Sequence, residues 1–291
     1  MSDRLKGIAA IVASAFGFAL MATMVRLCDD YGPAISCFEK SFFRNIVALI
    51  IAAVAFCKAG GGRGAHTAVS SKPPCREQLS LLLIRSVLGT IGIFANFYAL
   101  SRIPIADGQT LNKTAPFFTI ICTWIFLREK ASWKQCVTVA LAFVGALMVM
   151  KPAADGSNAF AYAMGLLGGI CAGCAYAAVR ALGRRRVPSS TIVFLFSMFS
   201  CIASLPFMIG KTVIVTPAQI VILIGAGIGA AIGQFGITLA YRYAEPREIA
   251  VFDYTNILFT AAFGYFIFGQ ISDIISIFGM FVIILAAFRK S

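Results

Sequence analysis

The apolar run GIAAIVASAFGFALMATMVRL, residues 7–27, decides the fold class of this chain. A helix needs about 20 predominantly apolar residues to cross the hydrocarbon core of a bilayer, and this run has that length. A signal peptide would have a shorter apolar region of about 7–15 residues, followed by a cleavage site. No convincing cleavage site precedes Arg26, so the run is predicted to be a first transmembrane span.

Nine further apolar runs follow, and the connections between them are short. The ten predicted spans are residues 7–27, 37–57, 79–101, 105–127, 133–151, 160–182, 189–209, 217–240, 248–268 and 272–288. The longest connection, between Lys58 and Glu77, is rich in glycine and proline and is predicted to form no domain. The sequence therefore predicts an all-α integral membrane protein of ten transmembrane helices.

The composition agrees with a lipid environment. Of the 291 residues, 59% are hydrophobic and 13% are charged, whereas soluble domains carry about 25% charged residues. The formal net charge of +13 could indicate nucleic-acid binding, but the basic residues occur in short clusters between apolar runs. That pattern is typical of cytoplasmic loops, so the bilayer is a predicted partner and nucleic acid is not.

The distribution of Lys and Arg predicts the orientation. If the N-terminus is cytoplasmic, 17 of these residues fall at the cytoplasmic ends of the spans and 5 at the external ends. Such an excess marks the cytoplasmic side. An even number of spans also places the C-terminus there. The prediction is a multi-pass protein of the inner or plasma membrane with both termini in the cytoplasm.

Nine cysteines are scattered along the chain, mostly within apolar runs. Cys171 and Cys174 form a CxxC motif inside a predicted span, with no second pair, so core packing is favoured over a redox or metal role. A disulfide between Cys28 and Cys37, which flank a predicted external loop, is a minor alternative. No metal and no cofactor are predicted.

The two halves of the chain are weakly similar. The matching positions are Ala99 and Ala240, Thr114 and Thr255, Leu127 and Phe268 at a shift of 141, and Gly7 and Gly165, Phe18 and Tyr176, Ala19 and Ala177 at a shift of 158. Each half holds five predicted spans, so the second half enters the membrane from the opposite side. The predicted domains, residues 1–151 and 160–291, are therefore inverted repeats, the architecture of alternating-access transporters.

Several motifs together carry a family resemblance. They are FEKSFFR (38–44), IRSVLG (84–89), YALSRIP (98–104), Pro116, FLREK (126–130) and AYRYA (240–244). The chain resembles the drug/metabolite transporter superfamily in its ten-helix form with two EamA domains, although Gln270 stands where that family usually has Glu. The resemblance implies inverted five-helix halves and small-molecule transport, usually export, without fixing the substrate.

Sequence motifs of enzymes are missing. The chain has no HExxH, GxSxG or P-loop pattern, and its single histidine, His66, lies in a predicted loop. The chain is therefore predicted not to be an enzyme, and active transport would be driven by a gradient. Proton coupling through Asp253 and simple facilitated exchange both fit.

Ionisable residues within the spans are the candidates for a site, because each costs about 2.5–3.5 kcal/mol at membrane depth. Lys113 is the strongest, since it lies in the middle of the fourth span. Pro116 removes the hydrogen bond to the Asn112 carbonyl, which would leave that oxygen available to a ligand. A structural lysine tied to a carbonyl or to Asp253 is the alternative.

The other candidates are less specific. Asp253 aligns with Asn112 and is expected to bracket a central cavity with Lys113 without needing to touch it; a helix–helix hydrogen bond is the alternative. Arg44 and Arg85 could contact substrate or extend to the headgroups. Tyrosines could stack on a ligand or pack in the core. The predicted substrate-binding set is Lys113, Asn112, Asp253, Tyr254, Tyr98, Arg85, Arg44 and Tyr176.

The charge balance within the spans, three basic groups and one acid, favours an anionic or zwitterionic substrate. The predicted function is secondary active or facilitative transport of a small polar metabolite, such as an amino-acid-like or nucleotide-like compound. An exporter of cationic or aromatic drug-like compounds, bound at Asp253, is the alternative. A membrane scaffold or membrane-embedded enzyme is a weaker one. The chain is predicted to act as a monomer or homodimer.

Overall fold

The computed structural model describes residues 2–33, 35–61, 76–100, 102–103, 105–151, 158–208, 215–269 and 273–288, and within these ranges the regular structure is entirely helical. The α-helices are α1 (Asp3–Asp29), α2 (Cys37–Gly61), α3 (Arg76–Leu100), α4 (Ile105–Asn112), α5 (Ala115–Leu127), α6 (Trp133–Met150), α7 (Ala159–Arg184), α8 (Ser189–Met208), α9 (Pro217–Tyr243), α10 (Pro246–Ile249), α11 (Thr255–Phe268) and α12 (Ile274–Phe288). A 3-10 helix, Ala250–Tyr254, joins α10 to α11. The predicted all-α class is confirmed.

Seven helical segments in the described part of the chain are long and apolar enough to cross a membrane. They are α1, α3, α6, α7, α8, α9 and the segment Pro246–Phe268, and α12 is a shorter apolar helix. Large apolar side chains point outward from these helices: Phe266 is 80% exposed and Ile274 is 84% exposed. Such a surface suits lipid and not water. These helices are compatible with ten spans, and the number ten stays a prediction.

Two of the predicted spans are not continuous α-helices. The fourth is divided into α4 and α5 by Lys113 and Thr114, and Pro116 lies in the first turn of α5. The ninth changes from α-helix to the 3-10 helix and back to α11. Pro116 predicts the first interruption because it lacks the N–H that a continuous helix requires. The second contains no proline and was not predicted.

The helix contacts come in matching pairs. The most extensive are α1 with α9, α3 with α7, α2 with α8, and α6 with α12, followed by α2 with α9, α5 with α7, α1 with α11, and α3 with α8. When the first five predicted spans are exchanged with the last five, the contacts of α2 with α8 and of α6 with α12 map onto themselves, and each of the others becomes another contact of the same set. The pattern supports the predicted repeat, whose boundaries and inverted relation stay predictions.

Glycines allow the closest of these contacts. A Cβ atom at Gly229 of α9 would lie 2.8 Å from the Gly17 carbonyl oxygen of α1, and one at Gly173 of α7 would lie 2.8 Å from the Ala115 carbonyl oxygen of α5. The stripes Gly225–Gly229–Gly233 and Gly165–Gly169–Gly173, predicted to be packing surfaces, thus lie at helix interfaces, and Gly229 and Gly173 mark points where backbones approach closely.

The two ends of the bundle differ in charge. We call the end at which α5, α7 and α9 finish the arginine-rich end, because Arg128, residues 184–186 and Arg242 lie there. At the opposite end Gln219, fully buried at the start of α9, donates to the carbonyl oxygens of Cys28 and Pro33 at 3.1 and 3.0 Å. These bonds join the start of α9 to the end of α1, which is about 190 residues away in sequence.

Candidate functional site

An ion pair joins the two interrupted spans. The Lys113 Nζ atom lies 3.3 Å from the Asp253 Oδ2 atom and 3.5 Å from the Asp253 carbonyl oxygen. Both side chains are largely enclosed, at 13% and 15% exposure. Tyr254, fully buried, donates its hydroxyl to the Lys113 carbonyl oxygen at 3.0 Å. Polar groups at one helix interruption are therefore paired with polar groups at the other.

The contact between Lys113 and Asp253 differs from the expectation that they would bracket a cavity from two sides. Under inversion, a residue close to the symmetry axis has its equivalent close to the same axis. Asp253 aligns with Asn112, one residue before Lys113, so the two can meet close to the symmetry axis. The alternative considered for Lys113, a tie to Asp253, is what the structure contains. Whether the pair also contacts substrate is a separate proposal.

Arg85 is a buried charge that a hydrogen bond and an aromatic ring hold in place. It is 3% exposed, and its Nη2 atom donates to the Gln234 Oε1 atom at 2.9 Å. Its guanidinium carbon lies 4.0 Å from the centroid of the Phe196 ring, a cation–π distance. A Cβ atom at Gly89 would collide with the guanidinium, so the Gly of IRSVLG makes room for the Arg of the same motif.

Arg44 lies close enough to Arg85 for the two charges to repel each other. It is 7% exposed, so both arginines are buried and neither extends to the headgroup region. Within the described residues, neither guanidinium has an acidic partner at salt-bridge distance, and the Nε atom of each lacks a hydrogen-bond partner. Two buried positive charges are therefore left without a counterion from this part of the chain.

Further buried polar side chains lie on α2, α3 and α8, the helices that carry Arg44, Arg85 and Phe196. Asn45 donates to the Ser200 hydroxyl at 2.9 Å, which links α2 to α8. In the described part of the chain, five side-chain oxygens on these helices have no hydrogen-bond partner; they belong to Asn45, Thr90, Asn96, Ser189 and Ser197. Buried polar groups are normally paired, so these unpaired oxygens are candidates for contact with water or a ligand.

Tyr176 on α7 connects the two charged groups. Its ring lies 5.9 Å from the Arg85 guanidinium, and its hydroxyl interacts electrostatically with Arg85, Arg44 and Asp253. Among the predicted site residues, the structure thus brings together Arg44, Arg85, Tyr176, Lys113, Asp253, Tyr254 and, through its neighbour Lys113, Asn112. Tyr98 is apart from them, because it packs against Phe160 and Arg102 in a separate cluster.

A second charged cluster closes the arginine-rich end. Glu129, after α5, accepts from the Arg180 Nε atom at 3.0 Å, and Arg180 also donates to the Tyr241 carbonyl oxygen at 3.2 Å. Glu245 lies 3.8 Å from Arg180. Burial raises the pKa of the Glu129 carboxyl, and the nearby Arg180 charge only partly offsets this. A cavity of about 580 Å³ lies among these side chains and the loop residues beside them.

Sequence reasoning did not single out three residues that the structure places at the site. Gln234 holds Arg85, Phe196 stacks on it, and Gly89 makes room for it. A glutamine in the middle of an apolar span was the signal that could have identified Gln234. Phe196 gives no signal in the sequence, since phenylalanine is common in membrane helices.

Some sequence predictions fall outside the described residues. These are the role of Gln270, the segment containing His66, Pro104 of YALSRIP, and the Cys37 side chain of the proposed disulfide. For metals, the described residues contain no group of three or more His, Cys, Asp or Glu side chains close enough to share an ion.

The fold and the site define a multi-pass, all-helical membrane protein whose core holds buried charges at interrupted spans. A model of the EamA-like transporter family matches residues 5–151 and again residues 159–289, so the chain belongs to the EamA-like transporter family. It is a transporter and not an enzyme.

Individual relatives agree with the family. The chain is 28% identical over 291 residues to a pseudopaline exporter of Pseudomonas aeruginosa, covering 99% of this chain and 97% of that protein. It is 29% identical over 203 residues to a riboflavin transporter of Vibrio cholerae, covering 67% and 65%. It is 23% identical over 259 residues to an S-adenosylmethionine uptake transporter of Rickettsia bellii, covering 87% and 83%. A crystal structure of another protein superposes with a TM-score of 0.79 at 14% identity, covering 99% and 96% of the two chains, which shows a common fold.

Proposed function

We propose that this chain moves a small anionic or zwitterionic metabolite across the plasma membrane by alternating access. The observation that carries the proposal is the pair Arg44 and Arg85, two buried guanidiniums without an acidic partner in the described residues. The relatives are named for three different metabolites, pseudopaline, riboflavin and S-adenosylmethionine, which supports metabolite transport and leaves the compound open.

The charges in the core support the proposed class of substrate. Lys113 and Asp253 neutralise each other at 3.3 Å, so the positive charge in excess lies on Arg44 and Arg85. A carboxylate or phosphate bound between the two guanidiniums would offset their repulsion and satisfy their unpaired N–H groups. Burial of the anion is costly, and two charge-assisted partners offset that cost.

The surrounding residues fit a bound compound with an apolar part. Phe196 and Tyr176 offer ring faces beside Arg85, and Gln234 holds the guanidinium in place through its amide oxygen. The unpaired oxygens of Thr90 and Ser197 could accept hydrogen bonds from an ammonium or hydroxyl group. This combination favours a zwitterionic or polyfunctional metabolite over a simple inorganic anion.

Counterflow into proteoliposomes tests the charge of the substrate. The purified protein is reconstituted, and labelled amino acids, dicarboxylates, nucleotides and quaternary amines are compared as substrates. Arg85→Met and Arg44→Met should each reduce transport of the accepted anion at least tenfold. Arg76→Met, an exposed arginine at the start of the same helix as Arg85, is the matched control and should keep the wild-type rate. Wild-type rates in both core variants would refute the proposal.

A double variant tests whether the ion pair contacts substrate. Lys113→Met alone leaves Asp253 as an unpaired buried charge, so loss of transport could reflect misfolding. Lys113→Met combined with Asp253→Asn removes both charges and should insert and fold normally. We expect it not to transport, because Lys113 contacts the substrate when the pair separates. Transport by the double variant at the wild-type rate would make the pair purely structural.

A cationic substrate is the second candidate, and Asp253 with the ring of Tyr254 is the feature that favours it. If quaternary amines exchange and anions do not, this candidate replaces the first.

The same proteoliposomes, prepared with an imposed proton gradient, distinguish proton coupling from facilitated exchange. Reporter fusions after Lys58 and Ser291 test the proposed cytoplasmic location of that loop and the C-terminus.

A further inference from the structure

Two cysteines from different helices meet at the interface of α5 and α7. The Sγ atoms of Cys122 on α5 and Cys174 on α7 are 3.0 Å apart. An S–S bond is about 2.05 Å long, so these sulfur atoms would need to approach by about 1 Å to be joined. The CxxC spacing of Cys174 with Cys171 is therefore not the relevant pair, because the contact is made across helices.

The packing of the helices explains this contact. Gly173 precedes Cys174, and a Cβ atom there would lie 2.8 Å from the Ala115 carbonyl oxygen and 2.9 Å from the Thr119 nitrogen. The backbones of α5 and α7 thus approach each other closely at this point. Cys174 is held opposite Cys122 by that close approach, one to two turns from the Arg180 contact with Glu129.

We propose that Cys122 and Cys174 are a redox modification site, at which a two-electron oxidant such as hydrogen peroxide forms a reversible disulfide. The sulfur of one thiol attacks a peroxide oxygen; the O–O bond breaks, and a sulfenic acid and one water form. The second thiol attacks the sulfenic sulfur, the S–O bond breaks, and a second water leaves. Two thiols are oxidised to one disulfide, and a dithiol reductant restores them by exchange.

The disulfide has a mechanical consequence that rests on the proposed function. α5 belongs to the predicted first repeat and α7 to the second, and alternating access requires the repeats to move relative to each other. A covalent bond between the helices fixes them together. Oxidation should therefore reduce transport at least tenfold, and reduction should restore it.

The experiment has two readouts from one preparation. The full-length protein in proteoliposomes is treated with hydrogen peroxide, and remaining thiols are blocked under denaturing conditions. Peptide mapping by mass spectrometry should find a peptide pair linked through Cys122 and Cys174, two hydrogens lighter than its parts. Counterflow is measured before oxidation, after it, and after dithiothreitol. Cys122→Ala and Cys174→Ala should each resist peroxide, whereas Cys201→Ala, which removes a buried cysteine of α8, should respond like the wild type.

The outcomes separate the proposals. The absence of the linked peptide, or a link from either cysteine to another partner, overturns the site. The linked peptide with unchanged transport overturns the lock between the helices. If the untreated protein transports nothing, the proposed function fails, and the peptide map still decides whether the disulfide forms.

Discussion

The contact between Glu129 and Arg180 at the arginine-rich end gives a prediction whose size follows from the geometry. Glu129→Ala removes one good charge-assisted hydrogen bond, from the Arg180 Nε atom at 3.0 Å. The second bond, from Arg184 at 3.5 Å, is long, and that side chain is half exposed, so it contributes little. Loss of the first bond should cost about 1.5–3 kcal/mol. That energy corresponds to an increase of about 10- to 150-fold in the local opening equilibrium.

Glu129→Gln separates the hydrogen bond from the charge. The amide oxygen still accepts from Arg180, while the carboxylate no longer has to be buried. Burial raises the pKa of the Glu129 carboxyl above its usual 4.5 despite the neighbouring arginine, so the desolvation cost of the charge exceeds the attraction to Arg180. We therefore expect Glu129→Gln to open no more than about threefold more often than the wild type.

The same raised pKa fixes the sign of the pH dependence. The Glu129 carboxyl binds a proton more readily in the closed form, in which Arg180 holds it, than in the open form. The closed form is therefore most stable, relative to the open form, below pH 4.5. That stability falls as the pH rises through the raised pKa. Opening of the wild type should therefore decrease on acidification from pH 7 toward pH 5, and Glu129→Gln should show no such trend.

Hydrogen–deuterium exchange of peptides covering residues 126–132 and 180–187, corrected for the intrinsic pH dependence, measures this opening. Glu77→Ala is the matched control, because Glu77 pairs with Arg185 at 2.7 Å but is 72% exposed, and such pairs contribute little. If Glu129→Gln opens as much as Glu129→Ala, the charge and not the hydrogen bond holds this end. The desolvation argument would then be wrong.

Two further predictions concern packing and an exposed ion pair. Gly173→Ala places a Cβ atom 2.5 Å from the Phe118 Cβ atom and should destabilise the protein by about 1–3 kcal/mol in thermal unfolding, whereas Gly225→Ala, whose nearest neighbour lies 3.6 Å away, should be tolerated. A hydrogen bond from Lys151 lowers the pKa of Asp273 to about 2, so the pair should persist as the pH falls and separate only near pH 2. Carboxyl NMR should give that midpoint, and Lys151→Met should return it toward 3.8; an unchanged midpoint in the variant would contradict the assignment.

The fold class could be predicted from the sequence because the hydrophobic signal in a membrane protein is strong and local. The run at residues 7–27 lies within α1, Asp3–Asp29, and the predicted span 189–209 nearly coincides with α8, Ser189–Met208. α1 extends a few residues beyond its apolar run, and the Ser2 side chain caps its first turn. The interruption beside Pro116 was also readable, since proline has a fixed local effect.

The details of the site depend on tertiary contacts, which no local pattern reports. The 3-10 helix Ala250–Tyr254 contains neither proline nor glycine, and its partner is the Lys113 carbonyl 141 residues away. The repeat alignment was the available signal, because Tyr254 aligns with Lys113, the residue at the first interruption. The Gln234 contact with Arg85 spans 149 residues and had no comparable signal.

The distribution of charge in the core favours Arg44 and Arg85 as the centre of the candidate site, whereas the sequence favours Lys113. The sequence gives three basic groups and one acid within the spans, and that excess could rest on any of the three. The structure pairs Lys113 with Asp253, and Gln234, which holds Arg85, is a neutral residue. A neutral holder fixes the position of a guanidinium without cancelling its charge. The excess charge therefore lies on α2 and α3. The two guanidiniums there, with aromatic rings beside Arg85, fit the proposed anionic ligand better than the neutralised pair on the interrupted spans does.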